Sequence, residues 1–315
     1  MKLTKAKHGD LIKQRLTEGQ SYRQIASEIG CAKDTVSIYA RLNFPALRSK
    51  RVNQSTTTPG DVLHNENPMN LLVIDIETRP NLAYVWDVWQ QNISPKQLID
   101  EKEVISFAAK RVGEDEVLIF KSVHHDGKAA MVAEAWNLLD AADGVVTYNG
   151  KKFDIPHLNL EFLRAGMPPP SPFRQIDLLT VVRREFKFTH NKLDHVATKL
   201  GLGAKVEHEG FPLWVKCMQG DDEAWERMKE YNMADVLLTE KLYQEVLPWI
   251  TNHPSYAALL GDIRCPNCGS TDLRNKGMQH TKTRAYKRYQ CKSCGKYCRD
   301  THCSTAAEVT ETNTW

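Results

Sequence analysis

The chain has 315 residues, 41% of them hydrophobic and 26% charged, which is room for two or three globular domains. No stretch approaches the ~18–20 consecutive apolar residues that cross a bilayer, and the first residues lead into no apolar export segment, so the expectation is a cytoplasmic protein with no membrane partner. The formal charge of +3 hides an asymmetry, because residues 1–70 carry a net +5, residues 71–250 a net −7 and residues 251–315 a net +5. Two basic ends around an acidic middle suit nucleic-acid-binding appendages on a metal-dependent core.

Residues 8–48 read as three short helices. The first spans roughly residues 10–17, with Leu11, Ile12 and Leu16 apolar. Ser21-Tyr-Arg-Gln24 is a capping box that opens the second, which carries Ile25, Ala26 and Ile29 and stops at Gly30. Asp34 can cap a third helix with Val36, Ile38, Tyr39 and Leu42. This order resembles the helix-turn-helix of transposases and sigma factors. The resemblance implies that the third helix enters the major groove, with Lys33, Thr35, Ser37 and Arg41 towards DNA. A small three-helix scaffold for a protein partner is the alternative. Residues 49–69 are polar, contain Pro59-Gly60 and lack an apolar period, so they read as a linker.

Residues 71–78, Leu-Leu-Val-Ile-Asp-Ile-Glu-Thr, read as a buried central strand. Side chains alternate along a strand, so Asp75 and Glu77 point the same way as Leu71 and Val73. Two carboxylates at one strand end either reach solvent or share a cation; oxygen ligands favour magnesium or manganese. The Trp-rich segment 83–89 follows, with Trp86 and Trp89 as core residues or as a wall for a single strand. Residues 104–112 and 116–121 read as a strand hairpin, and residues 128–139 as a helix. Residues 144–149 read as a strand, 155–165 as a helix and 176–179 as a short strand, with helices near 192–200 and 223–246. Asp154 falls where a loop enters a helix. Tyr231 and Asp235, four apart on the last long helix, share a face with Met228, Leu238 and Leu242. Asp177 reads as a helix cap, and His157, His190 and His195 as packing or surface residues.

Asp75-x-Glu77, Asn149-x-x-x-Phe153-Asp154 and Tyr231-x-x-x-Asp235 resemble the three motifs of the DEDD superfamily of 3′–5′ exonucleases, in its tyrosine branch. The proofreading domains of family-B DNA polymerases share the pattern. The resemblance covers about residues 70–248. It implies an α/β fold with a ribonuclease-H-like mixed sheet flanked by helices, and two Mg²⁺ or Mn²⁺ ions. Asp75, Glu77 and Asp235 would hold one ion, and Asp75 would share the second with Asp154. Tyr231 would aim the attacking water. A ribonuclease or structure-specific nuclease, or a DNA-binding regulator without catalysis, are the alternative functions.

Cys265-Pro-Asn-Cys268-Gly269 and Cys291-Lys-Ser-Cys294-Gly295 are separated by 22 residues. Two such knuckles specify a tetrahedral structural zinc site, and each glycine lets backbone N–H groups turn towards sulfur. Arg284, Lys287 and Arg288 lie between them among tyrosines, which resembles the zinc ribbon of many bacterial transposases and implies nucleic-acid contact. Cys298 is a competing ligand and Cys303 is left over, while Cys31 and Cys217 read as buried small apolar residues. The expected domains are therefore a helix-turn-helix at 1–48, a linker at 49–69, an exonuclease domain at 70–250, a zinc ribbon at 261–300 and a disordered tail at 301–315. The combination points to phage or mobile-element material.

Overall fold

The computed structural model describes residues 11–15, 17, 20, 22–30, 36, 69–114, 119–207 and 209–306. The chain divides into two units, Met1–Glu66 and Asn67–Trp315. In the first, residues 11–15 are helical and Tyr22–Ile29 forms α1. Ile12, Ile25, Ala26 and Val36 are buried, and Arg15 pairs with Glu28 at 2.6 Å, joining the first helical segment to α1. Lys33, Thr35, Ser37, Arg41 and Cys31 lie outside the described residues.

In the second unit the apolar run forms β1 (Leu71–Thr78), followed by β2 (Leu82–Ala83), β3 (Leu98–Asp100), β4 (Val104–Arg111) and β5 (Ile119–Ser122). Helix α2 (Lys128–Asp140), β6 (Gly144–Thr147), α3 (Asp154–Arg164) and β7 (Arg174–Asp177) complete a five-stranded sheet in the order β5-β4-β1-β6-β7. β4 and β5 run antiparallel as a meander from β1, while β6 and β7 run parallel to β1 through helical crossovers. Four further helices follow: α4 (Leu178–Glu185), α5 (Leu193–Lys199), α6 (Phe211–Met218) and the long α7 (Asp222–Val246).

The two faces of β1 bury into two different cores. Leu72, Ile74 and Ile76 pack with Met131, Leu139, Leu158 and Phe162 of α2 and α3. Leu71 and Val73 pack with Val236, Leu238, Leu242 and Val246 of α7. Asp75 and Glu77 continue the second face, so the strand period alone aims them at α7. A buried ion pair between Lys110 of β4 and Glu240 of α7 fixes that helix on the sheet, and Glu240 also accepts the Gly113 N–H at 3.0 Å.

Two strands end two residues earlier than the sequence reading placed them. The strand expected at 176–179 ends at Asp177, because Asp177 accepts the Leu179 and Thr180 N–H groups and starts α4 there. The strand expected at 144–149 ends at Thr147, because the chain turns at Asn149 with φ +71°.

After α7 come α8 (Tyr256–Leu260) and the strands β8 (Leu273–His280), β9 (Arg284–Cys291), β10 (Tyr297–Arg299) and β11 (Thr305–Ala306). Part of the expected disordered tail is therefore structured. Thr305 and Ala306 pair with Ala285 and Arg284 on an otherwise open edge of β9, and Ser304 N–H donates to Ala285 O at 2.8 Å. The cysteine knuckles are seated on the end of α7: Asn267 donates to Leu247 O at 2.8 Å and Ile250 O at 2.9 Å, and Tyr256 N–H donates to Pro266 O at 2.9 Å. Among the described residues no helix is long and apolar enough to cross a membrane.

Candidate active site

β6 pairs with β1 only over Leu71–Val73, so beyond it one edge of β1 is open. Asp154, at the first turn of α3, fills that gap: its carboxylate accepts the Ile76 N–H at 3.1 Å. The acid of the second motif thereby sits beside the backbone between the two acids of the first. Asp154 is 2% exposed. Burial pushes its carboxyl up to about 7, against the pull of the Ile76 N–H.

Asp75 is oriented by Asn232 of α7, whose amide donates to the Asp75 carboxylate at 2.7 Å and to its carbonyl at 3.2 Å. Ser106 of β4 in turn donates to Asn232 Oδ1 at 3.4 Å. Glu77 takes a hydrogen bond from Trp214 of α6. Burial, then the charges of Asp154, Glu77 and Asp235, hold the Asp75 carboxyl well above the carboxylate range. Burial, then Asp235, pushes Glu77 up to about 8. The four acids thus lie in one another's field.

Lys205 is the cation among them. It pairs with Asp235, donates to Tyr231 Oη at 3.1 Å and lies 5.0 Å from the Tyr231 ring centre. Burial works against its charge, but Asp235 and Tyr231 outweigh burial and hold it above its usual value. Burial and the Asp235 charge push the Tyr231 phenol up, so it is a neutral hydroxyl at ordinary pH. The Tyr231 ring meets Trp214 edge-on at 6.1 Å.

One ammonium cannot balance four carboxylates crowded in a desolvated place, which is why their carboxyls are pushed towards the protonated form, and divalent cations are the chemistry that such a donor set fits once ionised. Asp75, Glu77, Asp154 and Asp235 could hold them. The four acids are not drawn as tight as the thiols described below; in this form Asp235 faces Lys205 instead.

Asp177 does more than cap α4. Its carboxylate also accepts the Asn149 N–H at 3.0 Å and the Lys151 N–H at 3.3 Å, clamping the loop that delivers Asp154. Within that loop a Cβ at Gly150 would stand 2.4 Å from the Thr147 side chain, so only glycine fits. Asp177→Ala is expected to leave four N–H groups without their acceptor and to cost about 2–4 kcal/mol of stability. Urea unfolding of the two proteins measures it, and an unchanged midpoint would refute the clamp.

Cys265, Cys268, Cys291 and Cys294 bring their sulfurs within 4.8 Å of one another, the tightest such cluster among the described residues. The Cys265–Cys294 and Cys268–Cys291 sulfurs are 3.5 Å apart, close to the ~3.8 Å edge of a tetrahedron with Zn–S of about 2.3 Å. Hydrogen bonding from Cys268 lowers the Cys265 thiol to about 5, the direction that favours a metal-binding thiolate. The four cysteines could hold a zinc ion. Cys298 lies outside the cluster, on β10, and Cys303 is exposed.

The structure thus gathers Asp75, Glu77, Asp154, Tyr231 and Asp235, and separately the four cysteines. Arg284 and Lys287 are exposed on β9, whereas Arg288 donates to Lys276 O at 3.0 Å. Trp86 and Trp89, at 96% and 77% exposure, are not core residues. His157 bonds the Phe153 carbonyl at 2.7 Å, and His190 packs on His195. Sequence reasoning missed Asn232, Lys205 and Trp214. Asn232 alone had a signal, standing beside Tyr231 and three residues before Asp235.

Comparisons with known proteins bear on the same region. A model of the RNase_H superfamily matches residues 74–247, more than half of the chain. Among solved structures, the family B DNA polymerase from the hyperthermophilic archaeon Pyrobaculum calidifontis is similar at 16% identity with a TM-score of 0.45, over 69% of this chain and 31% of that one. The chain therefore spans about a third of the polymerase's length. No sequence among the curated proteins matches.

Proposed function

From a chain that belongs to the RNase_H superfamily, we propose a metal-dependent nuclease, and specifically a 3′–5′ exonuclease on DNA of the tyrosine branch of the DEDD superfamily. The observation that carries this reading is the shared field of four acids on β1, α3 and α7, with a neutral tyrosine hydroxyl beside them.

Asp75, Glu77, Asp154 and Asp235 would hold two Mg²⁺ or Mn²⁺ ions. Bound there, such ions activate water and stabilise the leaving 3′-oxygen in an in-line displacement at phosphorus. The chain's own residues prepare that chemistry. Asn232 fixes the Asp75 carboxylate, and the Ile76 N–H fixes that of Asp154. Trp214 holds Glu77 by a hydrogen bond and packs edge-on against Tyr231. Tyr231 can orient a water but not deprotonate it, because its phenol is pushed up. Were Asp235 to hold a metal ion, Lys205 would lose that partner, and its ammonium would be available to a phosphate oxygen.

Residues 1–48 would add a helix-turn-helix that grips duplex DNA through Lys33, Thr35, Ser37 and Arg41. Arg284 and Lys287 of the ribbon would add phosphate contacts. The test is purified protein with Mg²⁺ on 5′-labelled single-stranded DNA, duplex DNA and RNA, resolved on a gel. Labelled DNA should shorten from its 3′ end. Tyr231→Phe should be slowed roughly 10- to 100-fold, the value of one aligning hydrogen bond. Shortening from the 5′ end would reject the polarity, and an intact substrate would reject the reading.

A further inference from the structure

Where the ribbon meets the nuclease core, a cleft of about 450 Å³ opens between two pieces of chain. One wall is Pro248-Trp249, directly after α7. The other is the second cysteine knuckle and the start of β10, Cys294-Gly295-Lys296-Tyr297. The volume is within the ~300–1,000 Å³ of small-molecule sites.

Each wall offers an aromatic ring to solvent. Trp249 is 44% exposed and Tyr297 is 52% exposed. Trp249 is braced from behind: Phe186 meets it edge-on at 5.3 Å, and Arg184 donates to its carbonyl at 3.2 Å. Between the walls Gly295 leaves the floor bare, with φ +81° and Pro248 4.0 Å from where a side chain would begin. Two cations adjoin the opening. Arg288 lies 5.9 Å from the centre of the Tyr297 ring, and Lys296 reaches the Ile250 carbonyl at 2.8 Å with two N–H bonds to spare. The nearby acid, Glu185, is engaged by Arg184 at 2.6 Å.

Exposed rings with adjoining cations and a backbone floor suit a flat, uncharged base joined to a phosphate. We propose that this seam is a second nucleotide-binding site, taking an unpaired base of the same strand whose end enters the carboxylate cluster. This rests on the nucleic-acid reading of that cluster but not on its cleavage chemistry. Asp235 and Trp249 are joined by α7 and the turn after it, so at ~1.5 Å per residue the two sites lie about 20 Å apart. That distance corresponds to about six stacked nucleotides at ~3.4 Å each, or fewer in a stretched strand. The ribbon then serves as a ruler for the strand as well as a basic surface.

Tyr297 is the residue to change, since removing a half-exposed ring leaves no internal cavity. The full-length zinc-loaded chain is titrated, without added Mg²⁺ or Mn²⁺, against a fluorescein-labelled 12-mer of deoxythymidine. Tyr297→Ala should bind roughly 5- to 100-fold more weakly, the range for losing one base–aromatic stack, and Tyr297→Phe should bind like the parent. A walk of 2-aminopurine along the strand should give a quenched position about four to six nucleotides from the engaged end, lost in Tyr297→Ala and kept in Tyr297→Phe. Unchanged affinity in Tyr297→Ala, with zinc content intact, would overturn the seam site even if the protein cleaves DNA. So would uniform quenching along the strand. A parent that binds as expected but cuts nothing would instead overturn the nuclease reading and leave the seam standing.

Discussion

Asp75→Ala protein is expected to stay folded, bind single-stranded DNA and lose at least roughly 1,000-fold in cleavage rate, about 4 kcal/mol of barrier. Asp75 is the one acid placed to touch both proposed ions, so its loss dismantles both positions at once. The fold should tolerate the change. The Asp75 carboxyl is held well above the carboxylate range by burial and by three neighbouring acids, so its ionised form opposes folding at neutral pH. Removing it relieves that repulsion, against the loss of one hydrogen bond from Asn232. The melting temperature should therefore hold or rise. Wild-type cleavage by Asp75→Ala protein would sink the two-ion assignment; lost cleavage with a large drop in melting temperature would mean that the repulsion was misjudged.

Cys291→Ser should strip the ribbon of its metal. The parent is expected to carry one Zn²⁺ per chain, and the variant's affinity should fall more than ~100-fold, since losing a direct ligand costs more than losing a supporting contact. Cys291 is buried at the end of β9, opposite Leu273 of β8. The strands should then lose protection from proteolysis, and the melting temperature should fall as the knuckle lets go of Leu247 and Ile250. Zinc analysis and limited proteolysis of the two proteins decide it. An unchanged zinc content would reject this ligand set.

The acids and cysteines were legible because their chemistry comes at fixed offsets. A strand period aims Asp75 and Glu77 together, a helical turn pairs Tyr231 with Asp235, and a Cys-x-x-Cys knuckle repeats its own spacing. The five strands of the central sheet and the longer helices followed from the same periods, whereas β2, β3 and α6 did not. Lys205 was not legible. It lies in a segment flanked by Gly201, Gly203 and Gly210, all at positive φ, where no period says which way a side chain points. Trp214 belongs to α6, a two-turn helix too short to announce itself. The tail at Thr305–Ala306 took its structure from an open strand edge elsewhere in the chain, a tertiary cause that local sequence does not carry. Trp86 and Trp89 show the converse: composition favours burial of tryptophan, and here both rings stand exposed.

The seating of the cysteine knuckles on the end of α7 has a practical consequence. With both proposed metal sites filled, a chelator such as EDTA, the ordinary agent for demonstrating metal dependence, would reach two populations of metal. Loss from the carboxylates should be fast and reversed by added Mg²⁺ alone. Loss from the thiolates should be slow and should loosen the far end of the helix that carries Tyr231 and Asp235. Activity should thus disappear in two phases, and only the first should recover without zinc. Brief chelation followed by Mg²⁺ reports on catalysis; prolonged chelation reports on architecture.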